Sequence, residues 1–216
     1  TADGFEPHAR QLAAMFAYEP AVLEELLDHL FVVAAAQLNR LCLYLSPVAL
    51  AVVLGYSYAK RFTAAAHLVL GLSLAIAPVG SWVAVTGAFA LPPVLLGLGV
   101  VFWVAGFDVI YSLQDEEFDR REGLRSILAR FGAPRALQVA RLFHGATLVL
   151  FYAVFLAVDG GWLFGAAVVV AGGFLVRQHR LVSPTDLTRV DAAFFTANGW
   201  LSVAFLLLGA ADVLLR

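Results

Sequence analysis

The apolar and polar positions divide most of the chain into long apolar segments separated by short polar stretches. The apolar segments cover residues 29–39, 41–59, 64–86, 92–114, 136–157, 162–177 and 190–214. Most approach the roughly 20 residues that a helix needs to cross a bilayer, and they run continuously instead of alternating in segments of about 10 residues as a β-barrel requires. The pattern therefore predicts an all-α fold, a polytopic bundle of transmembrane helices.

Composition supports the same fold class. Of the 216 residues, 62% are hydrophobic and 14% are charged, and the formal net charge is −2. Soluble domains, in contrast, carry roughly 25% charged residues. Pro47 and Pro78 lie inside apolar segments and predict helix kinks, which are common where a bundle encloses a central cavity. We expect the lipid bilayer among the partners of this chain, and no nucleic acid.

The start of the chain differs from the rest. Residues 1–28 form an atypical, acidic N-terminal segment, and the chain begins with Thr1. We therefore expect N-terminal helices to be missing or altered, and we assign residues 29–216 to a transmembrane helical domain.

Lys and Arg concentrate in alternate polar stretches. They occur at 60–61, within 120–135 and within 177–189, whereas the stretches 87–93 and 158–161 contain neither residue type. By the positive-inside rule, the basic stretches face the cytoplasm. We expect an integral protein of a bacterial inner membrane whose active site opens on the cytoplasmic side.

Four polar residues mark the end of the 92–114 segment: Asp108, Tyr111, Asp115 and Asp119. At about 100° per helical residue they share one narrow stripe. Carboxylates on one stripe repel each other unless a cation lies between them, and Mg²⁺ binds carboxylates together with substrate phosphates. The stripe predicts a Mg²⁺ site for a phosphate-bearing ligand, with Asp115 and Asp119 as metal ligands. The alternative is a solvated helix end, although acids at that end oppose the helix dipole.

Three other polar features each have two interpretations. Lys60 and Arg61, with Tyr58 close by, are either membrane anchors at an interfacial aromatic belt or ligands that neutralise a diphosphate. The Arg-rich stretch 120–135 either contacts lipid headgroups or forms a lid over the site. Asn198 either forms an interhelical hydrogen bond or contacts substrate.

Two common kinds of site lack a sequence pattern. His67, His144 and His179 share no ligand spacing, so we predict no zinc site. The chain contains neither a P-loop pattern nor a dinucleotide-binding fingerprint.

Several motifs occur in the same order as in a known family. They are Leu38-Asn39-Arg40-Leu41-Cys42, Tyr56-Ser-Tyr58-Ala-Lys60-Arg61-Phe62-Thr63, Ala77-Pro78-Val-Gly80, the stripe from Asp108 to Asp119 with Gly123-Leu-Arg125-Ser126, and Phe194-Phe195-Thr196-x-Asn198-Gly199. On these motifs, residues 31–214 resemble the UbiA superfamily of membrane prenyltransferases, in its 4-hydroxybenzoate polyprenyltransferase-like branch.

The resemblance implies a bundle of about nine spans around a central lateral cavity. It also implies Mg²⁺-dependent transfer of the prenyl chain of a polyprenyl diphosphate to an aromatic acceptor such as 4-hydroxybenzoate, in ubiquinone or menaquinone biosynthesis. Asp108, Asp115 and Asp119 match the second of the family's two Asp-rich motifs, and we predict these three as catalytic residues. Lys60 and Arg61 match the family's basic pair near the diphosphate.

The predicted substrate-binding residues are Lys60, Arg61, Tyr58, Tyr111 and Asn198. The first Asp-rich motif is absent from the sequence, because its expected place falls at or before Thr1. We therefore expect a fragment or an altered start. Two alternatives are a relative that binds prenyl diphosphate without turnover and a transporter whose intramembrane acids bind ions. The sequence does not decide the acceptor.

Overall fold

The computed structural model describes residues 30–216, except for the side chains of Lys60 and Arg120. The predicted N-terminal segment 1–28 lies outside the described residues. From residue 30 onward the chain is helical apart from short connections, and the described part contains no β-strand.

A helical stretch at 30–38 comes first among the described residues. The α-helices that follow are α1 (Arg40–Phe62), α2 (Ala66–Thr86), α3 (Leu91–Tyr111), α4 (Glu116–Arg121), α5 (Ile127–Ala157), α6 (Trp162–Leu181) and α7 (Ala197–Leu214). At the starts of α1 and α5, the N-cap residue itself accepts from a backbone N–H group that has no partner within the helix. Asn39 accepts from the N–H of Cys42 at α1, and Ser126 accepts from the N–H of Ala129 at α5.

Six helical stretches of the described chain are long and apolar enough to cross a membrane. They are Arg40–Ala59, Ala66–Thr86, Leu91–Asp119, Ile127–Ala157, Trp162–Leu181 and Ala192–Leu214. The predicted all-α transmembrane bundle is thereby confirmed. Pro47 and Pro78 lie inside α1 and α2, and both helices continue past them.

The helices pack in chain order: α1 on α2, α2 on α3, α3 on α5, α5 on α6 and α6 on α7. Gly71 allows the close approach of α2 to α3, because a Cβ at this position would collide with the carbonyl of Val101. The π-helical turn Ala192–Thr196 packs on α3 at the start of α7, and Trp103 on α3 donates a hydrogen bond to Asn198 on α7. This arc of helices leaves a cleft between α2, α3 and the beginning of α7.

The two ends of the bundle differ in charge. One end is formed by the connections 63–65, 122–126 and 182–191 and by the adjoining helix ends, which carry the basic stretches of the sequence. We call it the basic end. The opposite end carries the connections 87–90 and 158–161, which contain no Lys or Arg.

The Arg-rich stretch 120–135 is mostly helical. Only the connection 122–126 and a break at Gly132 (φ 75°) interrupt the helices there. Gly123 adopts a left-handed conformation (φ 64°) that ends α4, and Ser126 immediately caps α5. Both interpretations of this stretch, headgroup contact and a lid, therefore concern two helix ends and the short connection between them, and both stay predictions.

Candidate active site

A cleft of about 490 Å³ lies between α2, α3 and the start of α7. Its lining is mostly apolar and consists of Ser73, Leu74, Ala77, Pro78, Val100, Trp103, Val104, Phe107, Asn198, Gly199 and Ser202. On α3, the lining residues Val100, Trp103 and Phe107 are three or four positions apart, so they share one helix face. The cleft suits an apolar ligand that lies between helices.

An aromatic cluster leads from the cleft toward the basic end. Along α3, Trp103 contacts Phe107 edge to face, with ring centroids 5.8 Å apart. Phe194 contacts Phe107 at 5.2 Å and Tyr111 at 4.3 Å. Because Trp103, Phe107 and Tyr111 occupy successive turns of α3, their rings form a continuous π-rich path. Such rings attract a cation through their faces.

The π-helical turn before α7 holds Phe194 in this cluster. A π turn shifts backbone carbonyls out of the α-helical hydrogen-bond pattern, and two side-chain amides donate to them here. Gln178 Nε2 donates to the Ala193 carbonyl at 2.8 Å, and Asn198 Nδ2 donates to the Phe194 carbonyl at 2.7 Å. Asn198 Oδ1 accepts from Gln178 at 2.6 Å and from Trp103 Nε1 at 3.1 Å. Asn198 therefore lines the cleft and connects α3, α6 and α7.

The predicted acidic stripe is wider in the structure than a single α-helix allows. Helix α3 ends at Tyr111, and Ser112–Asp115 form a 3₁₀ turn before α4. A 3₁₀ helix turns about 20° more per residue than an α-helix, so these four residues rotate Asp115 and Asp119 by about 80° relative to Asp108. The narrow stripe expected from one continuous α-helix is thus corrected to a broader acidic surface.

The three carboxylates have different surroundings. Asp119 is buried, with 1% of its surface exposed, and Asp115 is half-buried. Asp108 is 21% exposed, and its Oδ2 lies 2.7 Å from Nδ1 of the fully buried His67. Asp108 is thus held against the start of α2, whereas Asp115 and Asp119 lie beyond the end of α3.

Asp115 and Asp119 offer hard oxygen donors of the kind that Mg²⁺ prefers. Within the described chain, no group of three or more His, Cys, Asp or Glu residues is arranged to hold a metal ion. The described carboxylates therefore fit part of a Mg²⁺ shell, of the type that substrate phosphates and water complete.

His144 Nδ1 lies 2.9 Å from His179 Nε2 between α5 and α6, and neither residue lines the cleft.

The predicted basic pair lies at the end of α1. The guanidinium of Arg61 stacks over the Tyr58 ring, 5.6 Å from its centroid, and both side chains are exposed. Lys60 precedes Arg61 in the same helix. Arg125 Nη1 donates to the Phe62 carbonyl at 3.1 Å, so the α4–α5 connection is attached to the helix end that carries the basic pair.

The α6–α7 connection adds a charged group at the basic end. Asp186 Oδ1 accepts from the Thr188 hydroxyl at 2.7 Å and from the Thr188 N–H at 3.0 Å. These bonds, with the nearby Arg189 guanidinium, lower the pKa of the Asp186 carboxyl. Gln114 Nε2 lies 3.4 Å from Asp191 Oδ1 and connects this region to the 3₁₀ turn.

Two residues that the sequence pattern does not mark, His67 and Gln178, contact predicted site residues. Both are polar residues inside apolar segments, and each is at most 1% exposed. A buried polar residue within a membrane span is the one signal that could have identified them.

Comparison with known proteins gives consistent results. The model of the UbiA prenyltransferase family matches residues 26–206. The chain is 27% identical over 179 residues to the 4-hydroxybenzoate octaprenyltransferase of Francisella tularensis subsp. tularensis (strain WY96-3418), covering 83% of this chain and 61% of that protein. It is 31% identical over 179 residues to the 4-hydroxybenzoate solanesyltransferase of Synechocystis sp., covering 81% of this chain and 61% of that protein. The chain thus spans about 61% of the length of these relatives.

A solved structure has the same fold. The apo structure of a UbiA homolog from Aeropyrum pernix K1 superposes with a TM-score of 0.74 and 33% sequence identity, covering 87% of this chain and 68% of that chain. The family match extends over most of the chain and includes every residue that lines the cleft. This chain therefore belongs to the UbiA prenyltransferase family.

Proposed function

We propose that this protein transfers a polyprenyl chain from a polyprenyl diphosphate to an aromatic acceptor of the 4-hydroxybenzoate type. The observation that carries the proposal is the cleft between α2, α3 and α7, which continues through an aromatic cluster to Tyr111. Tyr111 ends the helix that contains Asp108, and the chain continues directly to Asp115 and Asp119. The names of the relatives from Francisella and Synechocystis support the same reaction.

The apolar cleft binds the prenyl chain. Leu74, Val100 and Val104 offer aliphatic contacts, and Trp103 and Phe107 offer flat aromatic ones. An isoprenoid chain gains about 25 cal/mol per Å² of apolar surface that it removes from water. The prenyl chain of a membrane-bound substrate comes from lipid and not from water, so its transfer into the cleft gains little free energy. The cleft therefore contributes more to the orientation of the substrate than to its affinity.

The diphosphate binds at the basic end. Arg61, with Tyr58 beneath its guanidinium, and Lys60 neutralise the phosphate oxygens. Asp115 and Asp119 are the residues that would hold Mg²⁺, because their carboxylates are hard oxygen donors. When bound, Mg²⁺ stabilises the negative charge that develops on the leaving diphosphate.

The aromatic cluster stabilises the allylic cation. As the C–O bond breaks, its electron pair leaves with the diphosphate and the prenyl carbon becomes positively charged. Tyr111 and Phe194, whose ring centroids lie 4.3 Å apart, and Phe107 present π faces in this region. A cation over an aromatic face gains about 0.5–2 kcal/mol per ring, more where water is excluded.

The acceptor ring then attacks the cation. A ring carbon uses a π electron pair to form the new C–C bond, and the same carbon loses its proton so that the ring becomes aromatic again. Asp108 accepts this proton, because its carboxylate is partly exposed and follows directly after Phe107 of the cleft wall. The products are the prenylated ring, the diphosphate and a proton held by Asp108.

The proposed setting is a bacterial inner membrane, with the basic end in the cytoplasm. The six membrane-crossing stretches and the concentration of Lys and Arg at one end support this orientation. The reaction would then serve the biosynthesis of ubiquinone or menaquinone.

The test is a transfer assay with the protein in liposomes, supplied with a radiolabelled polyprenyl diphosphate, Mg²⁺ and 4-hydroxybenzoate. We expect a lipid-soluble labelled product that requires both the acceptor and Mg²⁺. Binding of a thio-diphosphate analogue without any product from a panel of activated aromatic rings would contradict transferase activity. That result would instead support the alternative of a prenyl diphosphate-binding relative without turnover.

A further inference from the structure

A buried histidine lies behind one of the proposed catalytic carboxylates. His67, in the first turn of α2, is 0% exposed, and its Nδ1 lies 2.7 Å from Oδ2 of Asp108 near the end of α3. Asp108 itself is 21% exposed. The pair therefore has an inner member that solvent does not reach and an outer member that a ligand can reach.

Packing alone does not explain a histidine at this position. Its second ring nitrogen, Nε2, is buried and makes no hydrogen bond within the described chain. Burying a polar atom without a hydrogen bond costs roughly 1–3 kcal/mol, a cost that an apolar side chain at this position would avoid. The hydrogen bond to Asp108 is the interaction that sets His67 apart from an apolar residue.

The surroundings of the ring also favour one tautomer. With a proton on Nδ1, the ring donates to Asp108 and leaves only a lone pair unsatisfied at Nε2. The Nδ1–H tautomer therefore fits the site, because a carboxylate oxygen can only accept, and His67 acts as a hydrogen-bond donor.

The pair lies at the basic end of the cleft. On α3, the cleft-lining residues Val104 and Phe107 lie about one turn before Asp108 and immediately before it, respectively. One turn after His67, Gly71 brings α2 into close contact with α3. The carboxylate is thus anchored between two closely packed helices, which restricts its rotation.

We propose that His67 is a positioning residue for Asp108, an inference that rests on the prenyl-transfer function proposed above. The Nδ1–H of His67 donates to Oδ2 and fixes the carboxylate, which leaves Oδ1 to accept the proton from the attacked ring carbon. The electrons of that C–H bond return to the ring as the proton moves to Oδ1. His67 touches neither substrate.

The test compares His67→Leu, which removes the donor, with His67→Gln, which keeps an N–H donor but cannot carry a proton. In liposomes, we expect His67→Leu to lower kcat roughly 10- to 150-fold, the loss that corresponds to one hydrogen bond to a charged group. We expect its affinity for a thio-diphosphate analogue to match the wild type, and we expect His67→Gln to recover most of kcat. An acceptor deuterated at the attacked carbon should show a larger kinetic isotope effect in His67→Leu than in the wild type, because proton removal becomes slower.

Three outcomes would overturn the inference: wild-type kcat in His67→Leu, equal losses in both variants, or an unchanged isotope effect. His144→Leu is the matched control, because it removes a buried histidine hydrogen bond outside the cleft, and its kcat should stay near wild type once the protein is folded.

The ¹⁵N shifts of His67 in the wild type and in Asp108→Asn test the pair without turnover. If the wild type transfers no prenyl group but these shifts differ, the proposed function fails while the pair stands. If the shifts are identical, the pair itself is refuted.

Discussion

Gln178 provides a sensitive test of how the aromatic wall is held. Its amide donates to the Ala193 carbonyl inside the π-helical turn and to Asn198 Oδ1. Replacing Gln178 with Leu removes both hydrogen bonds and keeps a side chain of similar volume. The Ala193 carbonyl then loses its side-chain donor, and Asn198 loses one of its two donors.

The expected loss of stability follows from these two bonds. Hydrogen bonds between membrane helices contribute about 0.6 kcal/mol on average and up to about 1.7 kcal/mol. Two bonds, at 2.8 and 2.6 Å and in a residue that is 1% exposed, therefore predict a loss of about 1–3 kcal/mol. We also expect kcat to fall, because the turn that carries Phe194 is no longer fixed against Tyr111.

The assay is unfolding by a denaturing detergent, followed through tryptophan fluorescence, combined with the liposome transfer assay. Gln138→Leu is the matched control, because Gln138 is exposed on α5 and its replacement should leave both measurements near wild type. If Gln178→Leu is as stable and as active as Gln138→Leu, the amide network does not hold the aromatic wall.

Three further changes probe other parts of the structure. Asp115→Ala or Asp119→Ala should abolish transfer while the protein still inserts and folds, and near-wild-type turnover at saturating Mg²⁺ in either variant would remove that residue from the metal site. Arg61→Ala should raise KM for the prenyl diphosphate roughly 10- to 150-fold, the equivalent of about 1.5–3 kcal/mol. The KM for the aromatic acceptor should stay unchanged, and equal increases in both KM values would indicate that Arg61 shapes the cleft instead of binding phosphate. Asp212→Ala should lower the free energy of unfolding by about 1–2 kcal/mol without changing KM for either substrate. The reason is that Asp212 accepts from the N–H groups of Gly161 and Phe164 at the start of α6. An unchanged unfolding midpoint would refute this capping role.

The positions of the membrane helices could be predicted from the sequence, because a bilayer requires long apolar segments and the chain contains them. The predicted segments 64–86 and 162–177 correspond closely to α2 and α6. Changes in helical winding could not be predicted in the same way. The 3₁₀ turn Ser112–Asp115 and the π turn Ala192–Thr196 are only four and five residues long. Their apolar and polar side chains are arranged as they would be in a continuous α-helix, so hydrophobic periodicity does not reveal them.

The candidate site could be predicted only in part, since its residues come together from distant parts of the chain. Asp115 and Asp119 are close in sequence, and their spacing alone identifies an acidic cluster. The bond between His67 and Asp108 joins residues 41 positions apart, and the bond between Trp103 and Asn198 joins residues 95 positions apart. Comparing the spacing of histidines within a segment detects ligands on one helix, but it does not detect a pair formed between two helices.

An experimental structure of the membrane-embedded protein, with a prenyl thio-diphosphate analogue and Mg²⁺ bound, tests the proposed site most directly. We predict that the isoprenoid chain lies along Trp103 and Phe107, with the diphosphate at the basic end between Arg61 and the carboxylates of Asp115 and Asp119. A diphosphate bound at the opposite end of the bundle, or a prenyl chain outside the cleft between α2, α3 and α7, would contradict the proposed site.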